Sequence, residues 1–261
     1  MQGDKSGRNS QKLLDEMEFK SAITTEEAVQ ILNVSEATAR RLFNSMAKAG
    51  IVVRTFGGIC KIQAAVGEYS YETVAAQNGS AKYDIAQMAC SLCESNDVLY
   101  LDGGSTLSVF AKELSMRIKS GNLENISVYT NSLTTLTALS DCCAVSLLGG
   151  RWRSNRRDFC GYLAEDAVRK LSFKACFLGT DACETRGLTT TDFETARLNE
   201  LVAAASFRRY ALVDAGKFSK NSFVPFAPLS QMTGIITDAS LAYETKVEFE
   251  NSGANIFVQE K

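Results

Sequence analysis

The run Asp102-Gly103-Gly104-Ser105-Thr106 directly follows the apolar stretch VLYL at 98–101 and precedes a helical pattern. Two glycines let backbone amides approach an anion closely, the two hydroxyls add donors, and the N-terminus of the helix behind them favours negative charge. Four further apolar runs end in similar chemistry: Thr130-Asn131-Ser132, Gly149-Gly150-Arg151, Gly179-Thr180-Asp181 and Asp214-Ala215-Gly216-Lys217. Each of these suits an ordinary turn when taken alone. Five at one edge of a sheet point to a polar-ligand site, with Lys217 supplying a countercharge. Its candidates are Asp102, Gly103, Gly104, Ser105, Thr106, Thr130, Asn131, Gly149, Gly150, Gly179, Asp181 and Lys217.

Other chemistry is narrower. The chain has no histidine, which excludes a histidine base or a histidine-containing metal site. Acid–base work would fall to Asp102, Asp181, Glu184, Asp192 or a lysine. Of the eight cysteines, Cys90 and Cys93 form a single CxxC. Ile85, Met88, Ala89, Leu92 and Cys93 make one helical stripe, so Cys93 is expected in a core. Reduced thiols, no metal and no cofactor are expected.

The elements that must position the strand-end residues are legible from periodicity. Runs of strand length occur at 98–101, 126–130, 144–149, 175–179, 210–213 and 234–237, with helical patterns between most of them. The clearest helix is expected through Cys160, Leu163, Ala164, Ala167, Val168 and Leu171. Runs apolar throughout suit strands covered on both faces, so the fold class is α/β with a mostly parallel sheet. Ligands in such sheets bind beyond the carboxyl ends of the strands. Three features look structural: the arginine-rich GGRWRSNRRDF is expected to be a solvated loop around Trp152, Pro225 and Pro228 are expected to bracket a loop, and the last 20 or so residues are expected to form a helix and an edge strand.

Residues 1–62 have a different character. Thr24 and Glu27 have capping-box spacing and open a short helix; Asn33-Val34 interrupts it, and Ser35 caps a second. The second helix places Ala39, Leu42, Phe43 and Met46 on one face, and Ala37, Arg40, Arg41, Asn44 and Lys48 on or near the other. IVVRTFGGICKI is expected to be a hairpin around a Gly57-Gly58 turn. Two helices with a tight turn, a cationic second helix and a wing suit entry into a DNA major groove. Arg40 and Arg41 would read or grip DNA, with Ser35, Thr38 and Lys48 on phosphates and Asn44 on the same free face. This segment carries nine Lys/Arg against seven Asp/Glu, within a chain of net charge −2.

These residues carry a resemblance. NVSEATARRLFNSMAKAGIVVRTFGG resembles the winged helix-turn-helix of the DeoR family of bacterial transcription regulators, through Val34, Ser35, Thr38, Arg40, Arg41, Arg54, Gly57 and Gly58. It departs at Ala39, Leu42 and Phe56, where the family usually has isoleucine, aspartate and histidine. The resemblance adds Arg54 to the DNA-contacting set. DGGST, VYTNSL, SLLGG, CFLGTDACETRGLT and LVDAGKF resemble the family's C-terminal domain, with Gly216 in place of the usual serine. That domain is similar in fold to ribose-5-phosphate isomerases and glucosamine-6-phosphate deaminases. The resemblance implies a Rossmann-like, phosphosugar-isomerase-like domain that senses a phosphorylated sugar.

The organisation expected is therefore a winged helix-turn-helix at 1–62, a linker at 63–79, and an effector-binding and oligomerisation domain at 80–261. The expected function is a cytoplasmic DNA-binding regulator, most simply a repressor of a sugar operon, with no membrane association. It would bind double-stranded operator DNA as a dimer or tetramer, because a unit of such low charge grips few phosphates alone. A sugar-phosphate isomerase or deaminase, and an α/β domain whose front part binds another protein, are the alternatives.

Overall fold

The computed structural model describes residues 3–17, 22–48, 51–54, 58–61 and 69–259, and the chain divides into one unit of Met1–Glu68 and a second of Tyr69–Lys261. In the first unit the order is α1 (Gly3–Met17), β1 (Ala22–Thr24), α2 (Thr25–Leu32), α3 (Glu36–Lys48), β2 (Val52–Arg54) and β3 (Gly58–Lys61). The capping box at α2 forms as its spacing predicts: the Thr24 hydroxyl accepts from the Glu27 amide at 3.1 Å, and the Glu27 carboxylate accepts from the Thr24 amide at 2.8 Å. Asn33, in the left-handed conformation (φ 50°), ends the helix and turns the chain toward α3. Ala39, Leu42, Phe43 and Met46 are buried together with Ala28, Leu32 and Ile59.

Two features of this unit lie beyond the sequence expectation. Helix α1 adds Leu13 and Met17 to the same core, and their i, i+4 spacing was the available signal. The wing has a third strand: β1 pairs antiparallel with β3, which also pairs with β2. Gly58 is accordingly a strand residue opposite Thr24 rather than a turn residue. A Cβ there would stand 2.0 Å from the Ile23 carbonyl oxygen, so only glycine lets β1 approach. Phe56 and Gly57, the rest of the expected turn, lie outside the described residues.

The second unit is built on one seven-stranded sheet. Its strands are β4 (Val98–Leu101), β5 (Ser127–Thr130), β6 (Ala144–Leu147), β9 (Phe173–Gly179), β12 (Ser206–Leu212), β14 (Gly234–Thr237) and β15 (Ile256–Val258), in the order β15-β14-β12-β9-β4-β5-β6. Every pairing between them is parallel. Side chains alternate between two cores. Leu99, Leu101, Ala175 and Phe177 join α5 (Gly79–Ser91), α6 (Ser105–Lys119) and α7 (Leu133–Leu139) on one face. Tyr100, Cys176, Leu178 and Ala211 join α8 (Tyr162–Val168), α9 (Phe193–Ala204) and α10 (Tyr243–Asn251) on the other. This is why VLYL of β4, ACFL of β9 and YAL of β12 are apolar without interruption. Cys90 and Cys93 are buried in the first of these cores.

From β4 the chain proceeds outward through β5 and β6, then returns to β9 on the opposite side of β4. The ends of β4 and β9 therefore form a topological switch point, where a crevice opens in folds of this kind.

Smaller elements differ from expectation. Cys160 does not begin a helix; it ends β8 (Asp158–Cys160), paired antiparallel with β7 (Arg151–Arg153), and α8 starts after Gly161, leaving Leu163 66% exposed. Pro225 belongs to β13 (Val224–Ala227) in a sheet of order β10-β11-β13, with β10 (Ala182–Glu184) and β11 (Gly187–Thr190). At the sheet margin a missing N–H costs no ladder bond. Residues 69–79 of the expected linker are part of the second unit, including α4 (Tyr71–Ala75).

Replacing Thr24 with alanine removes the hydroxyl half of the capping box and is expected to destabilise the first unit by about 1 kcal/mol. Chemical denaturation of the full chain should lower that unit's midpoint and leave the second transition in place; an unmoved midpoint contradicts the assigned cap.

Candidate functional site

On the first unit the free face of α3 presents Ala37, Arg40, Arg41 and Asn44, all exposed. Arg40 pairs with Glu36 one turn earlier at 2.5 Å, both side chains about 60% exposed; such a pair is worth at most about 1 kcal/mol and yields readily to a phosphate. Ser35 and Thr38 are partly occupied with the helix itself: the Ser35 hydroxyl accepts from the Thr38 amide at 3.3 Å and lies 2.9 Å from the Thr38 hydroxyl. Lys48 closes α3, and its side chain lies outside the described residues. Arg54 is braced. Its Nε donates to Asn44 Oδ1 at 3.0 Å, its Nη1 donates to the Gly58 carbonyl at 2.5 Å, and its guanidinium lies 5.2 Å from the Phe43 ring centre. Arg54 and Asn44 thus join the wing to α3.

The second unit holds a cavity of about 260 Å3 at the carboxyl ends of β4 and β9. Asp102, Gly103, Gly104, Ser105 and Thr106 form one side, Gly179, Thr180 and Asp181 another, and Lys217 enters from the turn after β12. Gly104 has φ 110° and starts α6 without any side-chain cap. A residue bearing Cβ is strained at that φ, and the uncapped start leaves the first helical amides open toward an anion. Lys217 Nζ donates to the Thr180 carbonyl at 2.8 Å and lies 3.5 Å from an Asp214 oxygen.

The carboxylates are tied down. Asp102 Oδ1 accepts from its neighbour, the Gly103 amide, at 2.7 Å; Oδ2 accepts from the Gly179 amide at 3.1 Å and from Asn199 Nδ2 at 3.0 Å. Burial pushes its carboxyl up to about 6 against the pull of these three donors. Asp181 is the opposite case: burial raises it, but bonds from Thr190 and from the amide and hydroxyl of Thr191, with Arg156 4.0 Å away, hold it below the usual carboxylate range. Asp192 caps α9 and receives Arg153 at 2.5 Å, while Arg153 also grips Asp158 through two bonds of 2.7 and 2.8 Å.

Four candidates stand away from the cavity. Asn131 accepts from the Tyr100 hydroxyl at 3.2 Å and donates to the Phe159 carbonyl at 3.1 Å, fastening β8 across the sheet edge. The Thr130 hydroxyl accepts from the Ser132 amide at 3.0 Å. Gly149 and Gly150 lie between β6 and β7, Gly150 against the Cys160 backbone. These residues shape the edge rather than line the cavity.

Sequence reasoning missed other residues in and around the cavity. Arg153 and Arg156 do not sit in a solvated loop: their side chains are 7% and 10% exposed, and Arg156 lines the cavity with Tyr69, Val74 and Gln77. The cluster of arginines was itself a signal. Asn199 had one too, being a polar residue on the apolar stripe that runs from Ala196 to Ala203 in α9. Buried Lys82 donates to the carbonyls of Val74 and Gln77 at 2.5 and 2.6 Å, and burial lowers its pKa. The Cys90 thiol is pushed up to about 12 by burial, which removes its reactivity. Among the described residues no group of three or more Cys, Asp or Glu is placed to hold a metal, and no helix is long and apolar enough to cross a membrane.

Comparison with known proteins follows this division. A family model described as the DeoR C terminal sensor domain matches residues 77–239, and one described as the DeoR-like helix-turn-helix domain matches residues 10–64. The lactose phosphotransferase system repressor of Streptococcus mutans is 29% identical over 224 residues, covering 84% of this chain and 86% of that protein. The HTH-type transcriptional regulator GlpR of Haloferax volcanii is 29% identical over 227 residues, covering 86% and 87%. Ribose 5-phosphate isomerase from Plasmodium falciparum is 21% identical, over 54% of each chain, with a TM-score of 0.42.

In carbon-detected NMR titration the Asp102 carboxyl is expected to have a midpoint of about 6; a midpoint near the ordinary ~4 contradicts the burial argument. Because the folded carboxyl keeps its proton to a higher pH than the unfolded one, this group favours folding fully below about pH 4, and that contribution falls away as pH rises to 6. The stability difference between the native chain and Asp102→Asn should shift against the native chain by roughly 3 kcal/mol across that window.

Proposed function

The chain belongs to the DeoR family of transcription regulators, and on that premise we propose that it represses a sugar-utilisation operon and that its strand-edge cavity takes a phosphorylated sugar. It is a regulator and not an isomerase or deaminase. Three of the acids that such chemistry could use are bound to the frame, Asp102 and Asp181 each accepting three hydrogen bonds and Asp192 being held by Arg153, and Glu184 is not in the cavity lining.

The observation that carries the effector reading is the uncapped N-terminus of α6 facing a cavity that also holds Lys217 and Arg156. Backbone amides, two hydroxyls and two cations suit a phosphate. Asp102, Asp181 and Thr190 line the same space and suit the hydroxyls of a sugar. The relative named as a lactose phosphotransferase system repressor supports a sugar-linked operon.

The mechanism proposed is linkage. A sugar phosphate that binds one arrangement of the subunits better than another shifts the protein toward or away from its DNA-competent state. Arg40 and Arg41 on α3 hold operator DNA, and the protein acts in the cytoplasm as a dimer or tetramer whose paired first units read two half-sites.

Two outcomes are expected. Calorimetry with pentose and hexose phosphates should show binding by at least one that its unphosphorylated sugar lacks, and Lys217→Ala should weaken it about tenfold or more, the scale of one charge-assisted hydrogen bond. The absence of binding across the set contradicts the effector reading. Arg40→Ala combined with Arg41→Ala should abolish retardation of promoter DNA while circular dichroism stays native; unchanged retardation sinks the recognition-helix assignment.

A further inference from the structure

The segment from Tyr69 to Gln77 lies where the chain enters the second unit. It lines the cavity with Tyr69, Val74 and Gln77, yet α4 within it buries no residue. Polar and aromatic contacts from the β7–β8 loop hold it instead. The Asn155 carbonyl accepts from the Tyr71 amide at 2.9 Å. The Arg156 guanidinium lies 4.3 Å from the centre of the Tyr69 ring. Arg157 pairs with Glu72 at 2.5 Å and lies 5.1 Å from the Tyr71 ring centre. At the far end the buried Lys82 ammonium holds the Val74 and Gln77 carbonyls.

We infer that this segment is both a wall of the effector site and its output, with Arg156 joining the two roles. An element held by a few polar and ring contacts, with no fully buried side chain in its helix, is among the easier ones in a protein to loosen. The Arg156 side chain faces the cavity and stacks on Tyr69, and its Nη2 donates to the Thr191 hydroxyl at 2.9 Å. An anionic ligand that engages Arg156 therefore acts on the guanidinium that holds Tyr69. A ligand hydroxyl that reaches Gln77 adds a second tie. Order in the segment is thereby coupled to occupancy, and the segment is the covalent start of the path back to the DNA-binding unit. This inference rests on the sugar-phosphate reading above and names the residues through which that reading would reach DNA.

The test uses the full chain with ribose 5-phosphate, glucose 6-phosphate, fructose 1-phosphate and inorganic phosphate as probes. Arg157→Asn is the variant, because Arg157 is absent from the cavity wall and asparagine accepts its left-handed backbone (φ 56°). With whichever probe binds, amide exchange over residues 69–77 of the native chain should slow about tenfold. Arg157→Asn should leave that probe's Kd within about threefold while the ratio of promoter-DNA affinities with and without probe shrinks up to about fivefold, the worth of the lost exposed pair. If a probe binds but exchange is unaltered, or the ratio is unaltered in the variant, this inference is overturned and the sensor reading stands. If no probe binds, the sensor reading fails and this inference falls with it.

Discussion

Asp102 closes β4 with its carboxyl almost wholly buried, and its two oxygens accept from the Gly103 amide, the Gly179 amide and Asn199. One side chain thus joins the end of β4, the end of β9 and helix α9 at the point where the strand order reverses. The glycine loop, the start of α6 and the Gly179-Thr180-Asp181 turn take their positions from that knot. The same arrangement fixes the carboxylate in place: three donors hold its two oxygens, while burial raises its pKa to about 6 against their pull.

Around the knot the cavity combines fixed acids with less constrained donors. Asp158 is held by Arg153, Asp181 by Thr190 and Thr191, and Asp192 by Arg153 and its own helix. The amides at the start of α6 have no side-chain cap, and Lys217 and Arg156 stand close by. Such a site is pre-organised to receive an anion without reorganising its own charges. In the proposed reading, occupancy of this site is answered by a change of state rather than by a reaction.

Much of this is legible in the sequence. The sheet was readable because strands covered on both faces are apolar without interruption, and VLYL and GIIT match their strands residue for residue. The Thr24–Glu27 capping box and the buried face of α3 were readable because each follows a local rule of spacing. Eight of the twelve cavity candidates line the space, since strand ends at a switch point converge. What escaped depended on contacts distant in sequence. Asn131 resembles Asp102 in its strand-end position, but its neighbours turn it into a clamp on β8. Arg156 gains its role only when the β7–β8 loop reaches back to Tyr69, 87 positions earlier in the sequence. Gly58 looked like a turn residue because β1, which makes it necessary, is three residues long and carries no periodic signal.

The central claim is that a sugar phosphate in the strand-edge cavity and DNA on α3 are thermodynamically coupled. The direct measurement is a closed cycle: promoter-DNA affinity by fluorescence anisotropy with and without a saturating sugar phosphate, and sugar-phosphate affinity by calorimetry with and without DNA. Linkage requires both to change by the same factor, which for couplings of this kind is about 5- to 150-fold. A bound sugar phosphate that leaves DNA affinity unchanged would contradict the account.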